Sequence, residues 1–147
     1  MNSRSAKRGL STLGEPLLLV LHVGYGWLSL GLLLLGLSRL LNILPPTAAV
    51  HALTAGAVGT MTLAVMTRAS LGHTGRPLRA GVGTRTIYVL ITLAAVLRVL
   101  SPLAGDEADF ALWLAGMAWT AAFGLFAACY GGPLVRPRVG DDAARPI

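Results

Sequence analysis

Acidic side chains are almost absent from the interior of this sequence. Of 147 residues only six are Asp or Glu, and none of them falls within the long apolar runs that dominate the chain. A proton-driven exchanger normally keeps a carboxylate at membrane depth, so a self-sufficient transporter of that class is not expected. No paired carboxylates, Ser/His/Asp arrangement or phosphate-binding loop is present on which to build hydrolysis or phosphoryl transfer. Cysteine is equally scarce. Cys129 stands alone, which rules out an intrachain disulfide or a multi-cysteine metal cluster and leaves a small buried packing role as its expected use. Charged residues of both signs make up 12%, about half the roughly 25% of an average soluble domain.

What remains is hydrocarbon. Hydrophobic residues are 54% of the chain and the mean hydropathy is +0.69, the composition of a membrane protein. A spanning helix needs about 20 mostly apolar residues, and four stretches qualify: Pro16 to Leu41, Thr47 to Thr67, Thr86 to Ser101, and Phe110 to Gly131. The third is the shortest. The first follows Arg4, Lys7 and Arg8 as a secretory signal would. It is longer than a signal core and lacks a nearby small-residue cleavage pattern, so it reads as a retained helix. The expected fold is all-α, a polytopic transmembrane bundle of four helices (16–131), with a basic N-terminal segment (1–15) and a polar tail (132–147).

Basic residues set the expected orientation. They cluster before the first span, in the middle loop (Arg68, Arg76, Arg79, Arg85) and in the tail (Arg136, Arg138, Arg145). The two intervening connections, Asn42 to Pro46 and the one with Asp106, Glu107 and Asp109, are poor in them. The positive-inside rule then places both termini and the middle loop in the cytoplasm of a multi-pass inner-membrane protein. The same rule largely accounts for the net charge of +6, so no nucleic acid partner is expected.

The second span carries a packing signal. Ala48, Ala52, Gly56, Thr60 and Ala64 recur every four residues, flanked by Ala55 and Gly59. Such a stripe lets neighbouring backbones approach closely in lipid, so this helix is expected at the centre of the bundle or at an interface with other transmembrane helices or a second copy. Trp27 and Trp119 lie well within their spans, and Trp113 is placed as an outer-interface anchor.

Histidine is where chemistry becomes possible. His22 lies about two turns into the first span and His51 about one turn into the second. An ionisable group at that depth faces a partner in the bundle or serves a function. Imidazole is a ligand for haem iron, copper and zinc; the bland alternative is a hydrogen bond to a backbone carbonyl or to a threonine such as Thr54. Because the two helices run in opposite directions, His22 and His51 are expected roughly 15 to 20 Å apart along the membrane normal, too far to share a metal. On the inner side His22, His73, Met66, Cys129 and Tyr130 fall at similar depth. Arg98, near the outer end of the third span, can snorkel, pair with the acidic loop, or hold a haem propionate.

The stretch HALTAGAVGTMTLAVMTRASLGHTGRPL, His51 to Leu78, closely resembles the signature of the NnrS family of bacterial membrane proteins. The segments LLLVLHVGYGWLSLGLLLLGLSRL, IYVLITLAAVLRVLSPL and YGGPLVRPR are similar to those that flank it there. The resemblance covers nearly all of the chain after the basic N-terminus, and corresponds to the C-terminal portion of a family whose members usually carry more spanning helices. It implies an inner-membrane protein that binds haem and copper and is associated with denitrification and resistance to nitric oxide. By position, His22, His51 and His73 are the histidines of the family pattern, with Arg68, Arg76 and Arg98 the matching basic residues. The resemblance does not say which of them are ligands, and no reaction is named by these residues.

The segment HTGRP, His73 to Pro77, interrupts this apolar chain conspicuously. Gly72 and Gly75 permit a tight turn that Pro77 closes, and His73 with Arg76 offers donors to an anion such as a lipid phosphate, a haem propionate or the carboxylate of Glu15; a plain topology-setting basic loop explains it as well. Two function classes follow. One is a haem or copper protein of the nitric oxide response, in which His73→Ala is expected to lower bound cofactor without disturbing insertion. The other is a cofactor-free assembly module that docks other membrane helices through its small-residue stripe.

Overall fold

A computed structural model describes residues 16–42 and 44–136. The described residues form four long helices in up-and-down order: α1 (Pro16–Leu41), α2 (Pro46–His73), α3 (Val82–Leu100) and α4 (Ala108–Leu134). All four are long and apolar enough to cross a membrane, as expected of a four-span bundle. The segment 1–15 and most of the tail expected at 132–147 lie outside the described residues.

Helix ends follow from local chemistry. Asn42 stops α1 in the left-handed conformation at φ 53°, one of the few non-glycine residues that adopt it readily. Pro45 and Pro46 then open α2, where a missing N–H costs nothing. The expected end of the second span at Thr67 is too early, because polarity alone does not stop a helix. α2 runs on through Arg68, Ser70 and Gly72 to His73, and the HTGRP segment stops it. The Arg76 N–H donates to the Leu71 carbonyl and the Gly75 N–H to that of Gly72, with Gly75 at φ 68°. This pair of bonds around a left-handed glycine is the Schellman stop. Thr74 adds a hydroxyl bond to Ser70 O at 2.7 Å. HTGRP is thus first a helix terminator, and its His73 belongs to the last turn of α2. α3 and α4 likewise start before the expected Thr86 and Phe110, and α4 ends three residues beyond Gly131.

The stripe on α2 is buried in full: Ala48, Ala52, Gly56, Thr60 and Ala64 are all inaccessible or nearly so. α2 is therefore the centre of the bundle. A Cβ on Gly56 would fall 2.6 Å from the indole of Trp27 on α1, and one on Gly59 would fall 2.5 Å from that of Trp119 on α4. Two tryptophans, from α1 and α4, thus close on one short stretch of α2, which explains their place inside the spans. Along that stretch the backbone widens. Ala52–Val58 is a seven-residue π-helical segment, a geometry rare in helices and frequent at functional sites.

Nearer the termini, two hydroxyl pairs tie the helices: Thr67 with the Tyr88 phenol, and Thr84 with that of Tyr130 at 2.7 Å. Buried hydroxyls need such partners, since an unpaired one costs on the order of 1 to 3 kcal/mol. Cys129 does not take the buried packing place expected of it; it is exposed, because α4 turns Ala122, Phe126 and Tyr130 inward instead. Trp113 is exposed in the first turns of α4, as an interface anchor requires.

Candidate functional site

Four residues after Arg98 comes Pro102. In a continuing helix the Arg98 carbonyl would accept the N–H of that residue, and proline has none. The carbonyl is therefore free at the end of α3, and two side chains take it. Ser101 Oγ donates to it at 2.9 Å and His51 Nδ1 lies 2.7 Å from it. A carbonyl oxygen only accepts, so Nδ1 carries the ring proton and the lone pair of the neutral imidazole sits on Nε2.

This fixes both the tautomer and the orientation of His51 from a residue 47 positions away in the chain. A bond to a backbone carbonyl is the plain alternative to a ligand role, and it is equally the arrangement of metal-binding histidines, whose second nitrogen is almost always held by a carbonyl or carboxylate. His51 is half-buried and lines a pocket of about 500 Å³ between α2, α3 and α4. The π-helical segment supplies Thr54, Ala55 and Val58 to its wall, α3 supplies Arg98, and α4 supplies Trp119 and Thr120. Thr54 does not bond His51, because its hydroxyl is spent on Val50 O. Ala115 and Gly116 keep the α4 side shallow, so a flat group has room beside the imidazole.

Pro102→Ala tests the device. The new amide N–H competes for Arg98 O, and losing a hydrogen bond of about 1 kcal/mol is expected to shift the His51 tautomer ratio about fivefold. The nitrogen-15 shifts of the His51 ring report it; an unchanged ratio would mean that Pro102 does not set the ring.

The other predicted residues lie elsewhere. Gly24 of α1 faces Met61 of α2, and Gly31 faces Leu53, so His22 is level with the middle of α2 and about 18 Å from His51 along the bundle. That is the separation expected from the sequence. His22 is exposed on α1, with Nδ1 2.8 Å from Leu18 O, the local carbonyl bond weighed as its plain alternative. His73 is exposed at the far end of α2, about 33 Å from His51 at 1.5 Å per residue. It borders a separate groove with Arg68, Ala69 and Gly72. Arg76 is half-buried just past the same helix end. The structure thus brings together His51 and Arg98 and leaves His22, His73 and Arg76 apart. Among the described residues no three His, Cys, Asp or Glu side chains converge on one point.

Sequence reading missed Pro102, Ser101, Trp119 and the π-helical segment as parts of the site. The proline spacing was the available signal.

A search of curated proteins and one of solved structures each found no match. Residues 4–138 match the family model described as NnrS protein. With four membrane-length helices and the signature stretch forming the central helix and its histidine, the chain belongs to the NnrS family.

Proposed function

We propose that this chain holds a haem through His51 Nε2 in the pocket between α2, α3 and α4, and acts in the nitric oxide response. The observation that carries the reading is the His51 to Arg98 carbonyl bond, which leaves Nε2 unprotonated on a ring that lines an open pocket. Haem in such a place supplies an iron able to take a diatomic ligand or pass one electron. The residues fit it chemically. His51 would offer an imidazole nitrogen to the iron, the Trp119 indole a flat apolar wall, and the Arg98 guanidinium a partner for a propionate.

Haem fits this donor set better than copper. A porphyrin already fills four positions around its iron, so one imidazole suffices, whereas a copper ion bound by protein alone needs several convergent ligands. Among the described residues neither His22 nor His73 belongs to a group of three His, Cys, Asp or Glu side chains, so a copper site at either would need further donors. The proposed setting is the bacterial inner membrane with both termini cytoplasmic. It is supported by the gathering of Arg68, Arg76, Arg79, Arg85 and Arg136 at one end of the bundle.

The rival assembly-module reading relied on the small-residue stripe as a docking face. That stripe is already covered by α1, α3 and α4 within the chain.

The test is an absorption spectrum of the chain expressed with haem and copper present and purified in mild detergent, with metal analysis. An intense haem band that shifts on reduction and on adding nitric oxide is expected. A folded but colourless protein would remove the proposal.

A further inference from the structure

A second cavity lies at the other end of the bundle, on the surface between α1 and α3. It holds about 720 Å³. Its walls are Pro16, Leu19 and Val23 on one side and Val89, Leu93 and Val96 on the other, and Arg85 stands at its mouth. The polar atoms beside it are already used: the Tyr88 phenol bonds Thr67, and the Thr92 hydroxyl donates to Tyr88 O. Only hydrocarbon suits such an interior.

Its dimensions and charge name the occupant. From Arg85 to Val96 α3 rises about 16 Å, close to half of a roughly 30 Å hydrocarbon core, the depth of one leaflet. Arg85 is exposed at the end of the bundle where the basic residues gather, and Arg4, Lys7 and Arg8 precede Pro16 in the sequence. A cation at the headgroup level above an apolar slot one leaflet deep complements a lipid with a negative headgroup.

We propose that the groove between α1 and α3 binds one acyl chain of an anionic phospholipid, with the headgroup phosphate on Arg85. The site is separate from the His51 pocket and does not depend on any cofactor there.

The experiment is native mass spectrometry of the full chain, delipidated in mild detergent and then mixed with phosphatidylglycerol or phosphatidylcholine. One phosphatidylglycerol per chain is expected to be retained, about fivefold in preference to phosphatidylcholine, the weight of one basic side chain at an anionic headgroup. Arg85→Gln should abolish that preference. Val89→Trp, at an exposed position that fills the slot without touching the core, should lower retention of both lipids. Equal retention of the two lipids by the unaltered chain would overturn the proposal, as would a preference that survives Arg85→Gln. So would displacement of phosphatidylglycerol by inorganic phosphate alone, or undiminished binding in the Val89→Trp chain.

Discussion

Binding of the haem proposed for the His51 pocket is expected to be lost in His51→Ala and kept in His22→Ala and His73→Ala, with all three variants inserting normally. Of the three histidines, only His51 has its Nδ1 proton fixed from another helix on a ring that lines a pocket between helices; His22 spends its Nδ1 on its own helix and is exposed. Removing the imidazole that would hold the haem takes away the bond, not merely its orientation. The loss should therefore exceed the roughly 10 to 100-fold that follows from disturbing the partner of a metal-binding histidine. His51→Gly supplied with free imidazole separates the two roles: the added ligand should restore the haem band if the pocket is intact. Haem content read from the absorption band per chain decides the matter. Full occupancy in His51→Ala would move the ligand elsewhere, and an effect of His73→Ala alone would return the weight to the groove beside Arg68.

A loss of cofactor in His73→Ala, expected from the sequence, and a haem held at His51 as proposed are distinct outcomes, because about 33 Å separates the two residues along α2. HTGRP drew attention because polar residues are rare in this chain, yet its glycine and proline are explained first by the helix stop they make. The spans and the small-residue stripe of α2 were legible, since hydropathy and four-residue spacing are properties of one helix at a time. The histidine separation was legible for the same reason: antiparallel neighbours and a fixed rise determine it.

The site itself depends on pairing His51 with Arg98, and nothing periodic in the sequence links them. A trace existed. Pro102 predicts a free carbonyl at Arg98, and any donor brought beside the end of α3 would take it. The identity of that donor depended on which face of α2 turns toward α3, and the π-helical segment that begins at Ala52 changes that face. Side chains on the two flanks of a helix are predictable only while the turn is regular. The exposure of Cys129 escaped for a related reason, because nearly every residue of α4 is apolar and only packing selects its inner face.

Gly59→Ala is expected to destabilise the bundle by about 2 kcal/mol, within the range of about 1 to 3 kcal/mol found for overpacked cores. The added Cβ would come 2.5 Å from two ring carbons of Trp119 and 3.4 Å from Ile91, so a rigid ring must move. Trp119 is held on one side, where its indole lies against Phe123 with centroids 5.1 Å apart. An alanine elsewhere should act in the opposite direction, because glycine in a helix gives up roughly 0.5 to 1 kcal/mol relative to alanine. Gly36→Ala on α1, with open space at its Cβ, is the matched control and should be neutral or stabilising. Reversible unfolding of both variants in detergent measures the difference. Since Trp119 also lines the His51 pocket, Gly59→Ala should weaken haem retention at temperatures where the bundle is still folded, whereas Gly36→Ala should leave it unchanged. Equal stability of the two variants would mean that the Trp119 ring yields at little cost, and the rigidity attributed to the pocket wall would then be lost with it.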